Sequence, residues 1–255
     1  LGYSGTNSGG SLYIVSSVFK NNKGGLAPNT LDSELLPPER ETFIIGNLIE
    51  SNNNVDAPAT QSTNLSLGNG VVIAGGNNNI IKNNVIANHD LYGVIITATA
   101  DVNYWPAHGN RVESNLILNS KRADIASSGL SNLGNCFENN YFNTSIPPGL
   151  QTLNKCDSSF FPLSADLSGM WSSLARVIQT SDGNYNQGDW RLFEAPVNQP
   201  NMPIMEELKS LGYDKTTLPI TKIWSSVKPA VEVFSQYEYV LDEIELPQEA
   251  RNYLN

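Results

Sequence analysis

The feature that most constrains this chain is a motif that recurs five times, at uneven intervals. Each copy has apolar residues, a polar pair that ends in Asn, and two further residues that are mostly apolar; in the first copy Ser17 replaces the Asn. A second small polar residue follows four positions later, as Ser51 follows Asn47. The copies occupy residues 13–19, 43–49, 80–86, 111–117 and 136–142.

This pattern predicts coils of β-structure that stack on one another. Short strands rich in Val, Ile and Phe bury a continuous apolar strip when each coil pairs with its neighbours. Asn tolerates the positive φ that tight corners need, and stacked amide side chains form hydrogen-bonded ladders. We therefore predict a structural Asn ladder, made of Asn47, Asn84, Asn115 and Asn140.

A second set of short apolar runs, at 70–74, 93–97 and 123–126, supplies further strands. The fold class that follows is all-β: a right-handed parallel β-helix over residues 1–156. The alternative is an antiparallel sandwich with Asn-Gly hairpins, although the loops are too long and uneven for regular hairpin spacing. Leu1 stands in the middle of the pattern, so we expect something to precede it or to cap the open end.

The Asn repeat stops after Cys156, and Trp, Pro and Glu become more frequent. We predict that 157–255 is a mostly irregular C-terminal extension with short helices at 171–178 and 205–211. It either packs on the solenoid or docks a protein partner. Three earlier segments, 23–41, 52–69 and 98–110, read as loop excursions from the coil, where binding surfaces are usually built.

The charge balance excludes one class of partner. Charged residues make up 16% of the chain, and the formal net charge is −10. Nucleic-acid binding needs clustered Lys and Arg, so we expect no nucleic-acid partner, and tight polyanion binding is disfavoured for the same reason. No stretch approaches the roughly 20 apolar residues of a membrane-spanning helix, so we predict no transmembrane segment.

Over residues 9–156 the repeat resembles that of right-handed parallel β-helix repeat proteins, a superfamily that includes pectate-lyase-like enzymes, mannuronan epimerases and NosD-like periplasmic proteins. The resemblance implies the fold, and it carries polysaccharide chemistry as the superfamily's commonest use. Relatives of this kind also close the last coil with a Cys pair. Here that pair is Cys136 and Cys156, and the alternative is two independent buried thiols. A disulfide would indicate an oxidising location: extracellular, periplasmic or cell-surface.

The polar residues between 89 and 124 form the candidate active site. Lyases and uronate epimerases need a base for the C5 proton, a cation beside the carboxylate and an acid, whereas glycoside hydrolases need two facing carboxylates. The predicted catalytic residues are His89, Tyr92, Arg111, Asp101 and Asp124. The predicted substrate-binding residues are Tyr104, Trp105, His108 and Arg122. The alternative is that both histidines are solvated loop residues and that Trp105 packs against the solenoid flank.

We expect no metal centre and no cofactor, with calcium as the one candidate ion, because two His, three Met and two Cys offer few soft ligands. The leading functional hypothesis is an exported protein that binds or processes polysaccharide along its solenoid face. If it is an enzyme, it is a polysaccharide lyase, uronate epimerase or glycoside hydrolase. The alternative is a non-catalytic scaffold of a cell-surface or periplasmic assembly, docked through 157–255.

Overall fold

The computed structural model describes residues 1–33, 35–57, 66–129 and 133–156. The predicted C-terminal extension and its two helices lie outside the described residues. The strands are β1 (Tyr3–Thr6), β2 (Gly9–Val15), β3 (Val18–Lys20), β4 (Leu26–Asn29), β5 (Arg40–Ile45), β6 (Leu48–Glu50), β7 (Val71–Ala74), β8 (Ile80–Lys82), β9 (Val85–Ala87), β10 (Tyr92–Thr97), β11 (Thr99–Ala100), β12 (Tyr104–Trp105), β13 (Arg111–Glu113), β14 (Leu116–Leu118), β15 (Ala123–Ser128), β16 (Cys136–Glu138) and β17 (Ser145–Ile146). One short helix, α1 (Leu150–Leu153), follows them.

These strands form three parallel sheets that the chain visits in turn. Sheet I has the order β1-β4-β7-β10-β15-β17, sheet II the order β2-β5-β8-β13-β16, and sheet III the order β3-β6-β9-β14. The described part of the chain is therefore mainly β and mainly parallel, as predicted, and compatible with stacked coils. The antiparallel alternative is wrong for these residues, where the antiparallel pair is the small hairpin β11–β12.

The core lies between the three sheets and follows from the alternation of side chains along each strand. In sheet II the register aligns Ile14, Ile44, Ile81, Val112 and Phe137, one residue from each strand. All five belong to the central apolar cluster, together with inward residues of the other two sheets. The recurring apolar position of the motif is thus a continuous column of buried side chains.

The corners between sheets II and III explain the polar pair of the motif. The residue before each ladder Asn has a positive φ: 67° at Gly46, 56° at Asn83, 52° at Ser114 and 51° at Asn139. Gly and Asn adopt this left-handed conformation most readily, and one such residue turns the chain from sheet II into sheet III. The second small polar position, four residues after the ladder Asn, turns the chain again, with φ of 50° at Ser51.

One predicted boundary needs correction. Residues 23–41 are not wholly an excursion, because Leu26–Asn29 is strand β4 of sheet I, in register with Tyr3–Thr6. The sequence did not predict this strand, because it contains Pro28 and Pro is rare inside strands. Residues 98–110 form a true projection, and it contains the hairpin β11–β12. Among the described residues no helix is long and apolar enough to cross a membrane.

Candidate functional site

The predicted Asn ladder is a continuous hydrogen-bonded row. Each Asn Nδ2 donates to the Oδ1 of the next Asn, over 3.0 Å from Asn47 to Asn84 and 2.9 Å from Asn84 to Asn115 and from Asn115 to Asn140. Each also donates to a strand carbonyl, as Asn84 does to Ile44 O at 2.9 Å. Gln151 of α1 accepts from Asn140 at 2.9 Å and so ends the row. We call one run of the chain through sheets I, II and III a pass. The four Asn residues join neighbouring passes through buried amide groups.

A second row, which the sequence reasoning missed, runs five residues ahead of the first. Asn79 donates to Asn110, and Asn110 to Asn135, both over 2.9 Å. The signal in the sequence was an Asn five positions before each of Asn84, Asn115 and Asn140. This row ends at a carboxyl group, because Asn79 Nδ2 also donates to Glu39 Oε2 at 2.8 Å.

Glu39 is fully buried, which is unusual for a carboxyl group without a paired cation. Burial raises the pKa of Glu39 to about 7, although hydrogen bonds from Thr42 and Asn79 and the charge of Arg40 oppose the shift. Gly76 makes room for it, since a Cβ at this position would lie 2.0 Å from Glu39 Oε2. The carboxyl group ends the second row inside the protein, away from solvent.

A third row runs five residues after the first and includes the predicted base His89. Asn22 Nδ2 donates to Asn52 Oδ1 at 2.9 Å, and Asn52 Nδ2 donates to Phe19 O at 2.9 Å. His89 occupies the equivalent place in the next pass, and its Nε2 lies 3.2 Å from Ile49 O. A carbonyl oxygen only accepts, so Nε2 carries the proton and Nδ1 does not.

This position corrects one reading of His89, the solvated loop residue, and gives no support to the other, the catalytic base. Its side chain is 1% exposed, and burial lowers the pKa of His89 to about 4. The backbone carbonyl of Ile49 and the nearby carboxylates of Glu50 and Asp90 oppose that shift without cancelling it. A neutral, enclosed imidazole in an amide row is a structural group, because it cannot reach a substrate on the surface.

Asp124 also has a structural role in place of the predicted catalytic one. Its carboxylate is 1% exposed and accepts three backbone N–H groups, from Ser120 at 3.0 Å, Asn143 at 2.8 Å and Thr144 at 3.1 Å. These bonds tie the start of β15 to the loop that precedes β17. Asp101, the other predicted catalytic carboxylate, lies on the projection and is exposed, so the structure does not show the two as facing carboxylates.

Arg111 lies on another sheet, in a charged group on the outer side of sheet II. Its Nε donates to Glu113 Oε1 at 2.5 Å, and Lys82 Nζ lies 3.2 Å from Glu113 Oε2. Burial opposes ionisation of Glu113, but hydrogen bonds and attraction from the two cations outweigh it and lower the pKa of this carboxyl group. Arg111 therefore pairs with a neighbouring carboxylate, and the structure does not group it with His89.

Tyr92 and Arg122 are brought together, but on sheet I. The Arg122 guanidinium carbon lies 5.4 Å from the centre of the Tyr92 ring, within cation–π range. Tyr92 is 2% exposed and packs in an apolar cluster with Val72, Ile95 and alanines on the outer side of the sheet. The five predicted catalytic residues are thus distributed over sheets I and II, the turn between β9 and β10, and the projection.

The predicted binding residues Tyr104 and Trp105 form strand β12 of the projection, where Asp32 binds Trp105 and the preceding Asn103. Asp32 Oδ1 accepts from Asn103 Nδ2 at 2.6 Å and from Trp105 Nε1 at 3.3 Å, and Oδ2 accepts from Asn103 N at 2.7 Å. Asp101 Oδ2 returns the contact by accepting from Asp32 N at 2.9 Å. These hydrogen bonds lower the pKa of Asp32, led by the backbone N–H of Asn103.

The projection extends across one neighbouring strand. It leaves sheet I after β10, passes the corner at Gly75 that follows β7, and contacts the loop after β4, which carries Asp32. A Cβ on Gly75 would lie 2.9 Å from the Trp105 Cβ, and the φ of Gly75 is 69°, so both space and backbone conformation require Gly. The indole is therefore half-buried against the flank, as the alternative reading expected, with its N–H on Asp32.

Exposed apolar or aromatic side chains lie on the loop after β4 and on the projection. The exposed fraction is 89% at Leu35 and 74% at Leu36 on the loop, and 85% at Val102 and 40% at Tyr104 on the projection. His108 stands at the base of the projection, where its Nδ1 accepts from Leu133 N at 3.1 Å and its own N–H donates to Asn77 Oδ1 at 2.9 Å. His108 thus positions the loop and is not a simple solvated residue.

Cys136 and Cys156 form a disulfide, as predicted. Their sulfur atoms and a carboxylate oxygen of Glu113 lie within 4.8 Å of one another, which is close enough for metal ligands. The ligand form of cysteine is a thiolate, however, and disulfide sulfurs are not thiolates. No family model, no curated protein and no solved structure matches this chain.

Proposed function

We propose that the chain is an exported right-handed parallel β-helix that binds polysaccharide through its projection, and that the candidate acids and bases among its described residues do not catalyse a reaction on it. The parallel sheets and the order in which the chain visits them support the helix, since crossovers between parallel strands are almost always right-handed. The disulfide supports export to an oxidising compartment. The observation that carries the binding proposal is that Asp32 anchors Asn103 and Trp105, the two neighbours of Tyr104 in the chain.

An aromatic side chain that is held in place binds at little cost in conformational entropy. Tyr and Trp combine an apolar ring with a polar group, which suits the apolar faces and hydroxyl groups of sugars. In the projection the indole N–H is fixed by Asp32 and the Tyr104 side chain stands 40% exposed beside it. A loop held rigidly on a scaffold in this way is a common form of binding site.

The polymer we propose is neutral. The chain carries a net charge of −10, which repels polyanions at long range. Asp101 on the projection and Asp32 on the adjoining loop add negative charge at the proposed site. The exposed Asp101 can accept hydrogen bonds from hydroxyl groups, whereas a uronate would bring a third carboxylate close to both.

The absence of catalysis is inferred from the candidate acids and bases. His89 and Asp124 are enclosed in structural hydrogen bonds, and Arg111 is paired with Glu113. Asp101 remains exposed, but its carboxylate contacts the backbone of Asp32. Among the described residues, therefore, the predicted acid and base do not face each other across a space for a sugar.

The test is retention of the full chain in gels that contain neutral or acidic polysaccharides, with and without calcium, together with an assay for new reducing ends. We expect retention by a neutral polymer. We expect Tyr104→Ala to weaken it about tenfold or more, the effect of losing a central aromatic contact. Val55→Ala is the control, because Val55 is also exposed but lies away from the projection.

Retention that is equal in Tyr104→Ala and in the unchanged chain would contradict the proposed site. No retention on any polymer would overturn sugar binding and leave the scaffold as the better function. New reducing ends that Tyr104→Ala or Asp101→Asn abolishes would show that the protein is an enzyme after all.

A further inference from the structure

The outer side of the protein carries an apolar stripe where sheet II turns into sheet III. Side chains alternate along each strand, so the neighbours of core-facing residues point outward. Ile44 and Ile49 belong to the central cluster, which places Ile45 and Leu48 on the outside. The same alternation places Val85 outside next to Ile86, and Leu116 outside next to Ile117. We call Ile45, Leu48, Val85 and Leu116 the outer stripe.

The outer stripe is buried even though it faces away from the core. The exposed fraction is 2% at Ile45, 0% at Leu48, 2% at Val85 and 2% at Leu116. None of the four belongs to the central cluster or to the cluster on the outer side of sheet I. Val18, in register with Leu48 but one strand further out, is 47% exposed. The cover over the stripe therefore ends before it reaches Val18.

The disulfide lies on the same side of the protein. Cys136 is in register with Arg111 and adjacent to the core residue Phe137, so its side chain points outward from sheet II. Its sulfur and that of Cys156 lie within 4.8 Å of the Glu113 carboxylate, which is also on the outer side. Cys156 is thus fixed beside the outer stripe, and the chain continues from that point as residues 157–255.

We propose that the outer stripe is the docking surface for the protein's own C-terminal segment, residues 157–255. This segment holds three of the chain's four tryptophans, which need an apolar surface to bury. A disulfide at its first residues keeps it at high effective concentration near the stripe, so weak apolar contacts suffice to hold it. The docking surface is on a different corner from the projection, so this inference does not depend on sugar binding.

A photo-crosslinking experiment on the full chain tests this assignment. Benzoylphenylalanine replaces Tyr141, which is in register with Leu116 at one end of the stripe, or Val18 at the other end. The matched control replaces Tyr104, an exposed aromatic residue of the projection. After irradiation, reduction and digestion, mass spectrometry identifies the linked peptides. An equal mixture of isotopically light and heavy protein separates links within a chain from links between chains.

We expect position 141 to link to peptides of 157–255 within the same chain, position 18, which lies beyond the cover, to form fewer of these links, and position 104 to form none. Links between light and heavy chains would identify a second copy as the occupant and overturn the proposal. Links confined to peptides before residue 157 would overturn it as well, since the stripe would then be covered by the solenoid's own loops. Equal labelling of 157–255 from all three positions would also contradict it, because the segment would have no preferred surface.

Discussion

At the scale of single residues, buried Asn side chains form three hydrogen-bonded rows, and the repeat in the sequence led us to predict only the first of them. The ladder of Asn47, Asn84, Asn115 and Asn140 was predictable because each Asn falls at a fixed place in the repeat. The same rule, shifted by five residues either way, would have found the other two rows. It would also have placed His89 among structural residues, because His89 follows Asn84 as Asn52 follows Asn47. The residue type of His89 suggested a catalytic base, whereas its position in the repeat favours a structural role.

Asn84→Ala tests the contribution of one ladder position. Asn84 Oδ1 accepts from Asn47, and Asn84 Nδ2 donates to Ile44 O, so truncation leaves several buried groups without partners. Each such group costs about 1–3 kcal/mol, so we expect the free energy of unfolding to fall by at least about 2 kcal/mol. Urea denaturation measures it. The control is Asn143→Ala, at an exposed side chain, where we expect a change within about 0.5 kcal/mol. Equal loss in both variants would contradict a special role for the row.

Glu39 and His89 predict opposing effects of pH on stability. The pKa of Glu39 is about 7 in the folded chain and 4.5 ordinarily, so the folded state binds more protons and stability falls as pH rises from 4.5 to 7. The pKa of His89 is about 4 when folded and 6.5 ordinarily, so stability rises as pH rises from 4 to 6.5. Each shift corresponds to about 3 kcal/mol. The two slopes therefore nearly cancel between pH 4.5 and 6.5.

Glu39→Gln separates these two effects, because the amide keeps an acceptor for Asn79 and does not titrate. We expect the unfolding midpoint in urea to vary little between pH 4.5 and 6.5 for the unchanged chain. In Glu39→Gln it should rise steadily over that range, as the His89 contribution is no longer offset. A flat profile in Glu39→Gln would show that the folded-state pKa of His89 is not lowered.

At the scale of elements, the strands of sheets II and III could be predicted from the repeat, whereas two features of the excursions could not. Strand β4 contains a Pro and lies between turn-forming residues, so it has no strand pattern of its own. It becomes a strand because β1 and β7 pair with it on either side. The hairpin β11–β12 depends on Asp32, some seventy residues away in the chain. Contacts of that range carry no local sequence signal.

Asp32→Ala tests whether this carboxylate holds the projection. Losing the acceptors for Asn103 and Trp105 should free the hairpin from the neighbouring loop while the parallel sheets stay intact. We expect faster amide hydrogen exchange at Asn103 and Trp105, with unchanged exchange in β13 and β14. Asp90→Ala is the control. Asp90 is an exposed carboxylate that pairs with Lys121, and it lies away from the hairpin. If exchange at Asn103 is the same in both variants, Asp32 is not the anchor.

At the scale of the whole molecule, three corners of the coil have three different uses. The corner between sheets II and III carries the first Asn row inside and the outer stripe outside. The corner between sheets III and I carries the third row, with His89. The corner between sheets I and II carries the second row and the projection with Tyr104 and Trp105. Because the parallel sheets hold these corners apart, the proposed sugar binding at one corner and the proposed docking of 157–255 at another can be tested independently.

The central claim is that the projection binds a neutral polysaccharide, and the Trp105 indole N–H reports on it directly. Its proton, bonded to Asp32, gives an indole signal in a ¹H–¹⁵N spectrum that Trp105→Phe removes and so assigns. We predict that a neutral oligosaccharide, taken from the polymer that retains the protein, shifts this signal saturably while the other tryptophan signals stay in place. A Trp105 signal that does not move at saturating oligosaccharide would contradict the account and place sugar binding, if any, elsewhere on the molecule.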